Sequence, residues 1–180
     1  MKKTVHKLFW AWEFDREEKW LNDMSAKGLQ LTDVGFCRYV FETGTPGEYQ
    51  YRLQLLNHAP DHPESEHYIA FAEEMGAEQV GSLMRWVYFR KKAADGEFQL
   101  FSDMDSRIRH LQRILELMLI CMALEFWVGF SNLFAGNSLH SSFNLGVAIP
   151  TLLLGAFIAG GVISVSRKIF RLKAEREIHE

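Results

Sequence analysis

The densest set of groups able to do chemistry is His58, Asp61, His62, Glu64, Glu66 and His67. Imidazole and carboxylate are ordinary metal ligands. Their spacing matches no zinc pattern, and Pro60 and Pro63 interrupt the segment. Acidic residues at a helix start are favoured by the helix dipole. A solvated loop leading into a helix is therefore expected, with no metal. No phosphate-binding loop, dinucleotide fingerprint, nucleophile elbow or His-Glu-x-x-His motif occurs. The Ser and His residues form no recognisable nucleophile pair. The expectation is no catalytic residue, no cofactor and no enzyme.

Aromatic rings are the second signal: Phe9, Trp10, Trp12, Phe14 and Trp20. Along a strand, Phe9 would face one way and Trp10 and Trp12 the other. Core packing explains such rings. If helices cover only one sheet face, however, Trp10 and Trp12 lie on the open face. Arg38 and Arg52 on other strands would then supply polar anchors, making a candidate ligand or partner face.

The third signal is Glu125, inside an apolar run. A carboxylate there costs on the order of 3 kcal/mol on insertion scales. It reads either as a protonated group facing a second helix or oligomer partner, or as a proton- or ligand-responsive group. Gly155 with Ala159, and Ala156 with Gly160, are small residues four apart that let another helix approach closely.

The elements that must position these groups divide the chain in two. Mean hydropathy is −0.11, because a polar first part offsets an apolar second part. Residues 1–105 carry 12 Lys/Arg and 18 Asp/Glu; residues 106–180 carry 8 and 5. An acidic first part without a basic stripe argues against nucleic-acid binding. Cys37 and Cys121 fall in different parts, so no disulfide framework is implied. The Lys2-Lys3 start resembles a signal n-region, but five charges at 13–18 arrive before an apolar stretch can form, so no signal peptide is expected.

Two apolar spans, 114–134 and 145–165, each reach the roughly 20 residues needed to cross a bilayer as helix. Pro150 lies early in the second and would bend it. Arg107, Arg109 and Arg113 precede the first span, and Arg167, Lys168, Arg171, Lys173 and Arg176 follow the second. The loop 135–144 has no Lys or Arg, so both termini are expected in the cytoplasm and the loop around His140 outside.

Residues 1–100 read as a duplicated β-α-β-β unit. Val5–Trp12 reads as a strand. Asp15 resembles an N-cap with Glu18 completing a capping box, and Trp20, Leu21 and Met24 form a helical stripe closed by Gly28. Residues 29–34 and 36–42 read as strands. The order recurs at 49–55, in a helix from Pro63 to Gly76 with stripe Tyr68, Ile69, Ala72 and Met75, and at 78–83 and 86–90. Met24–Gly28 parallels Ala72–Gly76, Val34-Gly35 parallels Val80-Gly81, and Arg38–Phe41 parallels Arg85–Tyr88, a period of about 48 residues. The fold class expected is α+β, a mostly antiparallel sheet with two helices on one face, followed by a two-helix transmembrane hairpin.

The stretch Lys7–Gly28, with Pro46–Leu53 and Trp86–Arg90, resembles the bacterial domain-of-unknown-function family 2812 over roughly residues 4–110. The resemblance implies a cytosolic domain followed by membrane helices, encoded beside PadR-like transcriptional regulators. It implies no activity and no catalytic residue. The domains expected are a cytosolic domain at 1–102, a helical connector at 103–113, the two spans and their loop, and a basic cytosolic tail at 166–180. The function expected is a non-enzymatic regulatory, sensory or protein-interaction protein of the bacterial cytoplasmic membrane. The alternative is an accessory subunit of a transporter or membrane-stress system. The partners expected are the bilayer and a protein or second copy met through the transmembrane helices.

Overall fold

The computed structural model describes residues 2–100, 104–138 and 142–179, which form two compact units, Met1–Asp103 and Met104–Glu180. In the first unit the order is β1 (Lys2–His6), α1 (Phe14–Ala26), β2 (Leu29–Gly35), β3 (Arg38–Thr43), β4 (Tyr49–Leu55), α2 (Pro63–Glu74), β5 (Glu78–Leu83) and β6 (Trp86–Lys92). The class is α+β. The strands form two antiparallel three-stranded sheets, ordered β1-β3-β2 and β4-β6-β5.

β1 ends earlier than the expected Val5–Trp12 strand. After His6 the Lys7 N–H donates to the Cys37 carbonyl at 3.1 Å, and Ala11–Glu13 coil into one 3-10 turn. The Trp10 N–H donates to the Glu13 carboxylate at 3.3 Å, so Glu13 takes the capping role expected of Asp15. α1 then starts at Phe14, with Asp15 in its first turn. α2 begins as read, with Pro63 in its first turn and the His62 ring accepting from the Glu64 N–H.

The two halves keep a constant offset of 48 residues through helix, stop and hairpin. Gly28 and Gly76 end the helices at φ +76° and +85°, a left-handed conformation that favours glycine. The β2–β3 ladder slips between Leu31 and Asp33, and the β5–β6 ladder between Gln79 and Gly81. The bulges are therefore at Thr32 and Val80, and Arg38 corresponds to Trp86. This replaces the finer pairing of Arg38 with Arg85 and of Val34-Gly35 with Val80-Gly81.

The bulges lie where the two sheets approach each other. They fall at matching points on β2 and β5 and interrupt regular pairing there. The backbone at Leu31 turns to side chains of the other sheet instead. Its N–H donates to the Tyr51 hydroxyl at 2.9 Å, and its carbonyl accepts from Arg90 at 3.3 Å. A Cβ added at Gly81 would stand 2.9 Å from Val34 Cγ1, so only glycine fits that approach.

The core is two clusters, the first of them shared between the halves. Leu21 and Met24 of α1 pack with Leu31, Phe41, Tyr51 and Leu53; Ile69 and Ala72 of α2 pack with Val87, Phe89 and Phe98. α1 also closes a free edge. Glu18, Asn22 and Ser25 share one helix face, and each bonds the β4 backbone. Leu53 N–H donates to Glu18 at 2.8 Å, Tyr51 N–H to Asn22 Oδ1 at 2.9 Å, and Ser25 Oγ to the Tyr49 carbonyl at 2.7 Å. An edge strand exposes unpaired backbone groups, and here a helix satisfies them.

The second unit is two helices, α3 (Met104–Ser138) and α4 (Ser142–His179), both long and apolar enough to cross a membrane. The expected connector from 104 onward is part of α3. The expected loop narrows, because both helices extend into it, and His140 lies outside the described residues. The basic segment after 165 continues α4.

Candidate functional site

On α1 the core stripe is Leu21 and Met24, and one turn earlier the same face holds Glu17. Glu17 is only 7 % exposed. The Tyr39 and Tyr88 hydroxyls both donate to its Oε1 at 2.7 Å. Tyr39 comes from β3 of the first sheet and Tyr88 from β6 of the second, so one carboxylate oxygen ties both sheets to α1. Burial raises the Glu17 pKa above its ordinary value of 4.5, and the two phenol bonds offset this only in part. Burial and the nearby Glu17 charge push both tyrosine pKa values up. Neither phenol carries positive charge, so among the described residues the carboxylate has hydrogen bonds from these partners and no counter-ion.

Tyr39 also packs in a cluster of three rings. The Trp20 ring lies 4.8 Å from Tyr39 at 76°, and the Phe9 ring 6.4 Å away at 87°. Phe9 and Trp20 tilt at 45° with centroids 5.5 Å apart. The Lys7 ammonium stands over both, 4.8 Å from the Phe9 centroid and 4.7 Å from that of Trp20. The 3-10 turn after Trp10 and the Lys7–Cys37 backbone bond hold this segment beside β3.

A second buried polar cluster lies at the other end of α1. Ser25 Oγ lies 3.0 Å from Gln30 Oε1, the Tyr51 hydroxyl donates to the same oxygen at 3.2 Å, and Gln30 Nε2 donates to the Thr45 carbonyl at 2.7 Å. This cluster closes turns and strand edges. Arg90 makes a paired contact to Glu78, at 2.8 and 2.7 Å, and lies 4.4 Å over the Tyr49 ring. That pair holds the Glu78 carboxyl below its ordinary pKa.

The residues singled out in the sequence are placed as follows. Trp10 and Trp12 stack on each other, 5.5 Å apart at 7°, before α1 and not on a strand. Arg38 pairs with Asp33 at 2.6 Å. Arg52 donates to the Tyr51 carbonyl at 2.9 Å. Arg38 and Arg52 sit on strands of different sheets. His58, His62 and Glu64 do come together, with ligand atoms within 4.8 Å of one another. However, the two imidazoles stack face to face at 4.0 Å, so their in-plane lone pairs do not converge well on one ion. In the second unit, a Cβ added at Gly155 would stand 3.4 Å from Glu125 Cβ and 3.2 Å from the Phe126 ring. Ala159 is partly covered, whereas Ala156 and Gly160 are exposed.

Glu17, Tyr39 and Tyr88 were missed among the sequence candidates. The signal for Glu17 was its position four residues before Leu21 and seven before Met24, which puts a carboxylate on the core face. No sequence signal links the two tyrosines, because their meeting depends on how the sheets pack.

A family model described as a protein of unknown function (DUF2812) matches residues 13–123, and the chain belongs to that family. The matched stretch includes Glu17, Trp20, Tyr39 and Tyr88. No curated protein and no solved structure matches the chain.

Proposed function

We propose that this member of the DUF2812 family is a membrane-anchored, non-enzymatic regulatory or interaction protein. Its α+β unit receives a ligand or protein partner, and its two apolar helices hold it in the cytoplasmic membrane with both termini inside. One observation carries the anchoring. Core helices of soluble proteins are mostly covered, but the most apolar stretches of α3 and α4 are only 17 % and 22 % buried. In water that surface would cost roughly 25 cal/mol for each Å² of apolar area, and lipid removes the cost. The cations before α3's apolar stretch and after α4's support cytoplasmic termini.

The chemistry of Glu17 supports a binding role over a catalytic one. Its partners are two phenols that hold their protons more tightly than usual, which makes them poor acids or nucleophiles near neutral pH. The test is carbonate extraction of membranes, with cysteine labelling at position 140 and near residue 175. The chain should stay in the pellet, and only position 140 should react from outside the cell. Release by carbonate would overturn the anchoring.

A second reading, an accessory subunit assembled within the bilayer, is supported by Ala156 and Gly160, small residues four apart that are exposed on α4. Crosslinking from Gly160→Cys to another protein or to a second copy tests it.

A further inference from the structure

We propose that a groove on α4 between Val162 and Arg171 seats one anionic glycerophospholipid of the cytoplasmic leaflet, its phosphate on Ser166, Arg167 and Arg171 and an acyl chain on Val162 and Ile163. This rests on the hairpin lying in the bilayer with both termini inside.

The helix period puts Val162, Ser166 and Phe170 in one row and Ile163, Arg167 and Arg171 in the next. Between the two rows runs an open groove of about 440 Å³, lined by these six residues. Its character changes along its length. Val162 and Ile163 fall inside the apolar span read to end at 165, and Ile163 is 52 % exposed. Ser166 to Arg171 lie beyond that end. At 1.5 Å per residue they rise about 7.5 Å along the axis, close to the ~5–7 Å of one headgroup layer. The exposed Phe170 ring stands at the same level, where aromatic residues collect on membrane helices. A molecule that fills this groove is therefore apolar at one end and polar at the other.

Charge selects the occupant. Arg167 and Arg171 are exposed and one turn apart, and among the described residues neither makes an ion pair or a hydrogen bond. Arg176, further along α4, differs, because it pairs with Asp105 at 2.7 Å. None of the six lining residues is acidic. Two guanidinium forks beside a hydroxyl match the oxygens of a phosphate. One phosphate leaves a surplus positive charge, so a choline head, which carries its own cation, fits worse than a glycerol head. Free phosphate gains nothing from Val162 and Ile163, whereas an acyl chain covers both. Guanidiniums snorkel to the headgroup layer on many helices; their position at the mouth of an apolar groove is what makes a seat for one lipid.

The experiment is native mass spectrometry of the full chain, released from micelles that hold equal amounts of phosphatidylglycerol and phosphatidylcholine. The chain should retain one phosphatidylglycerol in preference to phosphatidylcholine. Arg167→Gln combined with Arg171→Gln should weaken that retention roughly thirtyfold, about fivefold for each cation lost at an anionic surface. Arg107→Gln combined with Arg109→Gln removes the same charge from exposed residues that precede the first span, and should leave retention nearly unchanged. Ile163→Ser should weaken it through the acyl contact, and excess inorganic phosphate should not displace the lipid. All these positions are exposed, so the variants should keep the fold. Equal retention of the two lipids, an equal loss in the two double variants, no effect of Ile163→Ser, or complete displacement by phosphate would each overturn the proposal. A chain that stays in carbonate-washed membranes yet shows no preference for phosphatidylglycerol sinks only this proposal. A chain released by carbonate that still retains one phosphatidylglycerol sinks the anchoring alone.

Discussion

Glu17→Gln should make the α+β unit more stable at neutral pH, by an amount that vanishes in acid. The amide oxygen can still accept from Tyr39 and Tyr88, which lie 2.7 Å from Oε1 in the wild type, but the charge is gone. In the unfolded chain Glu17 titrates near its ordinary value of 4.5, and folding raises that value. Below pH 4.5 the group is neutral in both states and costs nothing as a charge. Between 4.5 and the folded value the unfolded chain releases its proton first, so wild-type stability falls by about 1.4 kcal/mol per pH unit. Above the folded value the loss is complete and constant. Every other titrating group is shared by both proteins, so the difference isolates Glu17. At pH 4 the variant should equal the wild type or be slightly weaker, because its amide NH₂ is a buried donor. As pH rises it should overtake and then run parallel. Urea unfolding of the full chain in mild detergent, followed by tryptophan fluorescence at half-unit steps from pH 4 to 8, reads this directly. A gap that does not change with pH would refute the reasoning, as would a wild type that gains on the variant with rising pH. Glu17→Ala provides the contrast: it leaves two buried hydroxyls without their acceptor and should lie below Glu17→Gln by about 1–3 kcal/mol for each at every pH in that range.

Asn22→Ala leaves the N–H and carbonyl of buried Tyr51 without the 2.9 and 3.1 Å bonds they make to its side chain. Arg52 still donates to that carbonyl, so the cost should be about 1–3 kcal/mol for the orphaned N–H, seen as a lower urea midpoint and faster amide exchange at Tyr51. Gly129→Val would place a Cβ 2.6 Å from the Leu152 side chain. It should force α3 and α4 apart, measured as a lower yield of disulfide between cysteines at positions 125 and 155. Glu125→Gln should leave insertion unchanged and alter assembly; identical oligomer size in detergent and identical partner recovery would remove any role for that carboxylate in association.

Much of the fold could be read from residues with strict local demands. Gly28 and Gly76 stop helices, Pro63 starts one, and the strands read at 49–55, from its alternation, and at 78–83 coincide with β4 and β5. The apolar runs gave α3 and α4. The failure at Val5–Trp12 has a local cause: Trp and Phe favour strands in general, but the Glu13 carboxylate three residues beyond Trp10 captures its N–H and turns the chain. Glu18 looked like half of a capping box, and its carboxylate instead serves the β4 edge, 35 residues away in sequence. Close packing in the hairpin was sought on α4, yet the tightest approaches are to Gly129 and Gly136 of α3, which receive Leu152 and Leu145. Small residues on one helix do not say which large ones will fill them.

The 48-residue offset also separates scaffold from site. Positions that hold the fold together match between the halves: Leu21 with Ile69, Met24 with Ala72, Phe41 with Phe89, Gly28 with Gly76, and the bulges at Thr32 and Val80. Positions around the acidic centre do not. Glu17 corresponds to Ser65, a buried hydroxyl that donates to the His58 carbonyl at 3.3 Å. Tyr39 corresponds to Val87 and Tyr88 to Val40. Lys7 and Phe9 correspond to Leu55 and Asn57. Only Trp20 finds another ring, Tyr68. Had packing alone dictated these residues, the second half would have solved the same problem in the same way, with an apolar side chain where Glu17 stands. Instead one half carries a charge at a core position, and the two phenols that meet it come one from each sheet. A buried carboxylate without a counter-ion from those phenols is a poor device for stability. What it does supply is a single oxygen that joins α1 to both sheets through the two phenols, a link that the other half of the fold does without.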